Sequence, residues 1–423
     1  MKKFQNVSTI VTVVFSVILA FGLIACDPSP EDSQHSPQEI QASDLMCGIN
    51  SQPVNTVELN DQFRSAVANF SLDLFRETLS DDENSLVSPI SVLLALAMTA
   101  NGADGNTLSQ MEQVLGGGMS ISKLNEYLYS FTNGLSSKDK SLLNISNSIW
   151  FKDRGFTPNC DFLQTNANYY SADAFAAPFD DQTINDINSW ISDATDGLID
   201  KMVETIPGDV VMYLINTILF DAEWERFFDE RSVQSGEFTN YKNQTQTAEF
   251  MHSEESISIQ SDNATGFIKP YRGGNYSFVA ILPDEGVDIL DYVAALTGND
   301  FLDIVGNKQN DRIMVALTKF DYDYEVLMND ALKAMGMEDA FDVRADLTRM
   351  GSSELGKLFI SKVLHKAKIS VNELGTKAGA ATVVEGSVTS VPRPVILNRP
   401  FVYSIIDNAT NLPLFIGTLL SIP

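Results

Sequence analysis

This chain predicts a fold built on a β-sheet, with a strand-competent segment held outside it, and two stretches near the C-terminus carry that prediction. From Phe359 to Val371 the odd positions read Phe359, Ser361, Val363, His365, Ala367, Ile369 and Val371, while the even side carries Lys362, Lys366 and Lys368. Successive side chains of a strand point to opposite faces, so this spacing predicts a long, half-buried strand. Further on, Thr376, Ala378, Ala380, Thr382 and Val384 share one parity and the charges Lys377 and Glu385 take the other. In an extended chain the first five line one face. Gly375 lies between the two stretches and permits a reversal at little steric cost, so the second can fold back antiparallel on the first. Yet Gly386-Ser387-Val388-Thr389-Ser390-Val391-Pro392-Arg393-Pro394 reads as an exposed loop. A strand-competent sequence inside a long loop has two states open to it. An ordinary hairpin with an irregular second strand fits the same pattern.

The ends and the composition bound the rest. The chain has 423 residues, enough for one large domain or two ordinary ones, and 44% hydrophobic content supports a sizeable core. A net charge of −28 makes nucleic acid an unsuitable partner. Lys2 and Lys3 precede an apolar run from Val7 to Ile24, so residues 1–25 read as a signal peptide. Leu23-Ile24-Ala25-Cys26 resembles a bacterial lipobox, which makes Cys26 the expected site of lipidation; a soluble export signal is the rival reading. The expected location is the bacterial cell envelope, held by acyl chains at Cys26 and facing the periplasm or the surface. Residues 26–57 are rich in Pro, Ser, Glu, Asp and Gln and read as a disordered tether, leaving 58–423 as the folded domain. Besides Cys26 only Cys47 and Cys160 remain, so no disulfide framework is implied, although a single bridge stays open.

Catalysis finds little support. There are three histidines: His35 in the tether, His252 beside Ser253-Glu254-Glu255, and His365 on the apolar face of its strand. No two have metal-ligand spacing, no CxxC is present, and neither a Gly-x-Ser-x-Gly elbow nor a phosphate-cradling loop occurs. No cofactor is expected and the chain does not read as an enzyme. A histidine on an apolar strand face is more often a hydrogen-bonded core residue than a ligand or base.

Longer motifs carry a resemblance. They are Glu373-x-Gly375-Thr376-x-Ala378-Gly379-Ala380-Ala381-Thr382, then Asn398-Arg399-Pro400-Phe401-Val402-Tyr403 and Pro413-Leu414-Phe415-Ile416-Gly417. Upstream stand Ser88-Pro89-Ile90-Ser91, Gly102-Ala103-Asp104-Gly105-Asn106-Thr107, Asn188-Ser189-Trp190 and Asn216-Thr217-Ile218-Leu219-Phe220 with Trp224. Taken together, and running in the family's order from about Glu58 to Ile422, these motifs make the chain resemble a serpin. The resemblance implies an α+β fold: a large mixed central sheet, about eight or nine helices, two further sheets, and an exposed reactive-centre loop at about 375–394. A monomer is expected.

The resemblance also implies a mechanism. The loop is bait for a serine protease; once cut, it inserts into the central sheet between the strand Phe359–Val371 and the strand holding Asn216, carrying the acylated protease with it. The hinge Glu373, Gly375, Thr376, Ala378, Gly379, Ala380, Ala381 and Thr382, with small side chains at the entering positions Thr376, Ala378 and Ala380, is the mark of an inhibitory member. Two departures stand out: Lys377 where the family usually has Glu, and the apolar Leu374. Counting from Glu373 places the reactive bond at Thr389–Ser390, with Val388–Thr389 as a near rival. The small, uncharged Thr389 suits elastase-like or subtilisin-like proteases with a small S1 pocket. Ser88, Asn216 and His365 match the group that controls opening of the sheet, and Trp224 matches the residue capping its upper end. The alternative is a non-inhibitory serpin acting as a binding or chaperone-like surface lipoprotein.

Overall fold

The computed structural model describes residues 40–135, 141–199, 201–354, 356–376 and 394–423. Residues 1–25, Cys26 and most of the loop therefore lie outside the described residues, so the readings of a signal peptide and a lipid anchor gain no structural account.

Among the described residues the central sheet has seven strands. In spatial order they are Ser43–Asp44, Asp173–Ala177, Ser141–Lys152, Met212–Glu223, Gly375–Thr376, Lys362–Val371 and Phe320–Leu327. The long pair Ser141–Lys152 and Met212–Glu223 is antiparallel, whereas Met212–Glu223 and Lys362–Val371 run parallel where they meet, which makes the sheet mixed. A six-stranded and a four-stranded sheet complete the architecture, with a two-stranded pair of Phe156–Pro158 and Gly351–Ser353. This is the α+β arrangement with two further sheets expected from the sequence.

Met212–Glu223 reads as an almost continuous apolar run because both faces are covered. On one face lies the helix Pro89–Ala100, buried along its whole length, apolar but for Ser91 and Thr99 and started by a proline at its first position. On the other face the helix Asp181–Ala194 lays Ile187, Trp190 and Ile191 against Trp150, Tyr213 and Ile215. That helix opens on a capping box, in which the Asp180 carboxylate accepts from the Thr183 amide and the Thr183 hydroxyl accepts from the Asp180 amide.

Two boundaries differ from the sequence reading. The alternation of the C-terminal strand holds from Val363 to Val371 but the strand begins at Lys362, not Phe359. Just before it, Leu358 and Ile360 are buried, the opposite parity. They belong to irregular backbone that packs without a period of two. The tether assigned to residues 26–57 is also too long. Ser43–Asp44 pairs antiparallel with Phe175–Ala176 as an edge strand, and Leu45 N–H donates to Ala174 O at 2.8 Å. The carboxylate of Asp186 accepts from the amides of Gln41 and Ala42 at 3.1 and 2.8 Å. Further along, Gln52 N–H donates to Asn168 Oδ1 and Val57 N–H to Ser130 Oγ. The polar average of this stretch conceals Ile40, Ala42, Leu45, Met46, Ile49 and Val57, each packed against a hydrophobic cluster. Cys47 and Cys160 are both exposed free thiols, so the single bridge left open by the sequence is not formed.

Candidate functional site: the opening of the central sheet

Met212–Glu223 and Lys362–Val371 pair directly only through Tyr213–Asn216 with Lys362–His365. At the other end they are held apart by Gly375–Thr376, which pairs antiparallel with both: Gly375 with Glu223, Thr376 with Ala222, and Thr376 with Val371. The reversal expected at Gly375 is thus present, and the first two residues of the following segment are already a strand. Gly375 is glycine for a steric reason. A Cβ there would lie 2.1 Å from the Ala222 carbonyl oxygen.

The turn that delivers these residues is pinned at many points. The indole of Trp224 donates to Asn372 O at 2.9 Å and its backbone amide donates to Leu374 O at 2.9 Å. Phe228 N–H donates to Glu373 O at 3.0 Å. The Asn372 side chain accepts from the amides of Leu374 and Gly375. Glu373 pairs with Lys319 at 2.5 Å. Burial opposes the charge on Lys319, but its bonds to Glu373 and Glu249 outweigh that and hold the ammonium above its ordinary pKa. Trp224 is fully buried and stacks on Tyr271, ring centroids 4.5 Å apart. Trp224 is thus both packed in the core and bonded to the turn.

At the closed end the three residues read from the sequence meet. His365 Nε2 accepts from the backbone amide of Ser88 at 3.1 Å, which leaves the ring proton on Nδ1. That nitrogen faces Asn216 Oδ1 at 3.2 Å and donates to it. Ser88 takes part through its backbone; its buried hydroxyl has no hydrogen-bond partner among the described residues. Sequence reasoning missed two members. Ser91 Oγ–H donates to Asn216 Oδ1 at 2.5 Å, and Asn216 Nδ2 donates to Asn147 Oδ1 at 2.7 Å. Asn147, Asn216 and His365 stand side by side on three adjacent strands. Parting the last two strands breaks the His365–Asn216 contact inside the core, where an unmade hydrogen bond is costly.

Full burial lowers the pKa of His365 to about 4. The unfolded value is about 6.5. Between the two the unfolded chain binds a proton that the folded chain does not, so stability is complete above the unfolded value and falls with acidification. Between pH 7 and 5 this histidine is expected to remove about 2 kcal/mol of folding stability. Urea midpoints of wild type and His365→Asn across that range check this. The variant starts lower but has the flatter pH dependence; parallel curves would contradict the assignment.

A further pair went unread in the sequence. Lys269 and Glu255 form an ion pair at 2.5 Å with side chains 1% and 6% exposed. The Lys269 ammonium also lies 4.2 Å from the centroid of the Phe228 ring and 5.6 Å from that of Trp224. Ser253 Oγ–H donates to the same Glu255 oxygen at 2.6 Å. Burial pushes the pKa of Lys269 down, opposed by Glu255. The only signal was a single cation within the apolar run Gly266-Phe267-Ile268-Lys269-Pro270-Tyr271. The other predicted site residues, Ala378, Gly379, Ala380, Ala381, Thr382, Thr389 and Ser390, lie outside the described residues.

A sheet whose two central strands are joined at one end and wedged by the start of a loop at the other is a structure that can accept a further strand. The family model described as Serpin (serine protease inhibitor) matches residues 65–422, and the chain belongs to that family. The chain is similar to the native-state crystal structure of the thermophilic serpin tengpin, at 49% identity over 90% of this chain and 100% of that one, with a TM-score of 0.88. Against tengpin in its latent state the identity is 46%, over 87% and 100% of the two chains, and the TM-score 0.79. The alpha-1-antitrypsin homolog of Cyprinus carpio is 31% identical over 74% of this chain and 85% of its own length. Serpins are mainly protease inhibitors rather than enzymes, and serine proteases are their general targets.

Proposed function

We propose that this protein is a suicide inhibitor that traps elastase-like or subtilisin-like serine proteases. The observation that carries the reading is Gly375–Thr376 lying as a short strand between Met212–Glu223 and Lys362–Val371, whose direct pairing is confined to the far end. The protease serine attacks the Thr389 carbonyl, forms an ester to Thr389 and releases the amine of Ser390. Freed from its downstream attachment, the segment continues into the sheet behind Thr376. A strand of on the order of a dozen residues, at about 1 kcal/mol net per hydrogen bond, gains of order ten kcal/mol. That gain draws the acylated protease along and distorts its active site before the ester is hydrolysed. The target class follows from Thr389, small and uncharged, and from the absence of Lys and Arg between Ala378 and Pro392. Lipidation at Cys26 places this activity at the bacterial cell envelope.

The test is incubation of the protein lacking residues 1–25 with an elastase-like protease and, separately, with trypsin. On a denaturing gel the first is expected to give a band at the summed mass of protease and inhibitor. Mass spectrometry is expected to place the cut after Thr389. Clean loop cleavage without a complex, across several small-pocket proteases, would replace this reading with a non-inhibitory binding protein.

A further inference from the structure

We propose that the Tyr271 hydroxyl is a latch that seats Thr376 in the central sheet before cleavage, making Tyr271 a positioning residue for loop insertion. The inference rests on the inhibitor reading for its consequence, but the latch itself is a property of the uncleaved chain.

Thr376 is the last residue described before position 394 and is 2% exposed. Its Oγ1 lies 2.6 Å from Tyr271 Oη, and both groups are buried. Tyr271 belongs to neither strand that flanks the hinge. It follows the strand Ala264–Pro270 of the six-stranded sheet, where it forms an isolated bridge with Trp224. Its ring is fixed by stacking on Trp224 and by an edge contact to Phe220, centroids 5.0 Å apart, so the hydroxyl has a set position. Burial keeps it protonated, its pKa raised further above the ordinary value. The hinge and the second sheet are thus joined by one side-chain hydrogen bond. Both groups must be satisfied together or left unpaired in the core, and an unpaired buried hydroxyl is the more costly state. With Thr376 seated, the sheet is open at its upper end and the next inward-facing residue has a strand to follow. With Thr376 withdrawn, insertion must begin by parting the upper end while the ester is already exposed to water. The latch therefore biases the competition between trapping and release at its first step.

Tyr271→Phe keeps the ring and its stacking and removes only the hydroxyl; Thr376→Val removes the partner hydroxyl from the other side. Each is expected to speed hydrogen exchange at the Gly375 and Thr376 amides of the uncleaved protein, roughly ten- to a hundredfold. Each is also expected to raise several-fold the moles of inhibitor consumed per mole of protease trapped. The double variant, with no polar atom left at the contact, is expected to return close to wild type in both measurements. A purely packing role for Tyr271 would give no such rescue. Unchanged exchange in both single variants, or a double variant worse than either, overturns the latch. If the wild type traps no protease, the proposed function fails, and hydrogen exchange on the uncleaved chain still decides the latch.

Discussion

Thr376→Arg is expected to turn the protein from a trap into an ordinary substrate. Thr376 sits between the backbones of Ala222 and Val371 and its side chain faces Tyr271 in the core. A guanidinium there would be taken out of water, at a cost of several kcal/mol. The uncleaved protein avoids that cost by leaving Thr376 outside the sheet. After cleavage the same cost stands in front of insertion. Each 1.4 kcal/mol is a factor of about ten in rate, so a barrier raised by about 3 kcal/mol slows insertion more than a hundredfold. Deacylation then wins. The measurement is the number of inhibitor molecules consumed per protease trapped, together with the denaturing gel. The expected result is complete loop cleavage, recovered protease activity and no complex, with the uncleaved fold near wild type in thermal stability. Thr376→Ser, which keeps the hydroxyl and the size, is expected to trap normally. Trapping by the arginine variant at wild-type efficiency would mean that Thr376 does not lead the insertion.

The second large effect concerns stability. Lys269→Ala leaves the Glu255 carboxylate buried without its cation and removes the ammonium from the Phe228 ring. Breaking such a pair from one side costs about 3–5 kcal/mol, because the surviving charge keeps its desolvation penalty. Replacing both partners by apolar residues of similar volume, Lys269→Met with Glu255→Leu, is expected to recover most of the loss. Denaturant midpoints for the two single variants and the double variant measure this. Phe228 and Trp224, which rest on the pair, also hold the backbone oxygens of Glu373 and Leu374. The single variants are therefore expected to loosen the turn before the loop as well, read as faster hydrogen exchange at Phe228 and Trp224. A Lys269→Ala variant as stable as wild type would contradict the assigned burial.

The parts of the fold that the sequence revealed are those where one physical rule acts alone. Alternation over Val363–Val371 is a period-two pattern on a strand with one core-facing side. Gly375 marked a place where the chain can turn back, and the structure adds that a Cβ there would meet the Ala222 carbonyl. His365 on the apolar face was legible as a residue in need of a partner. Ser91 and Asn147 were not, since each is an ordinary small polar residue until the helix Pro89–Ala100 and the strand Ser141–Lys152 are brought to Asn216. Lys269 and Glu255 lie fourteen residues apart in sequence on different strands, and only the packing of two sheets makes them neighbours. The edge strand at Ser43–Asp44 was hidden by composition. Its apolar residues are too sparse for a periodic signal, and it is recruited by the open backbone edge of Asp173–Ala177. The latch was invisible for the same reason, since its two hydroxyls come from different sheets.

The most direct test of the central claim, that the loop is a strand stored outside its sheet, is the stability of the protein before and after one loop cut. Limited proteolysis at Thr389–Ser390, followed by urea unfolding of uncut and cut protein, gives both midpoints. Insertion adds a fully paired strand to the sheet, so the cut protein is expected to unfold at markedly higher urea. A cut protein that unfolds at the same or lower urea would mean that the sheet does not accept the loop, and that this serpin works by another route.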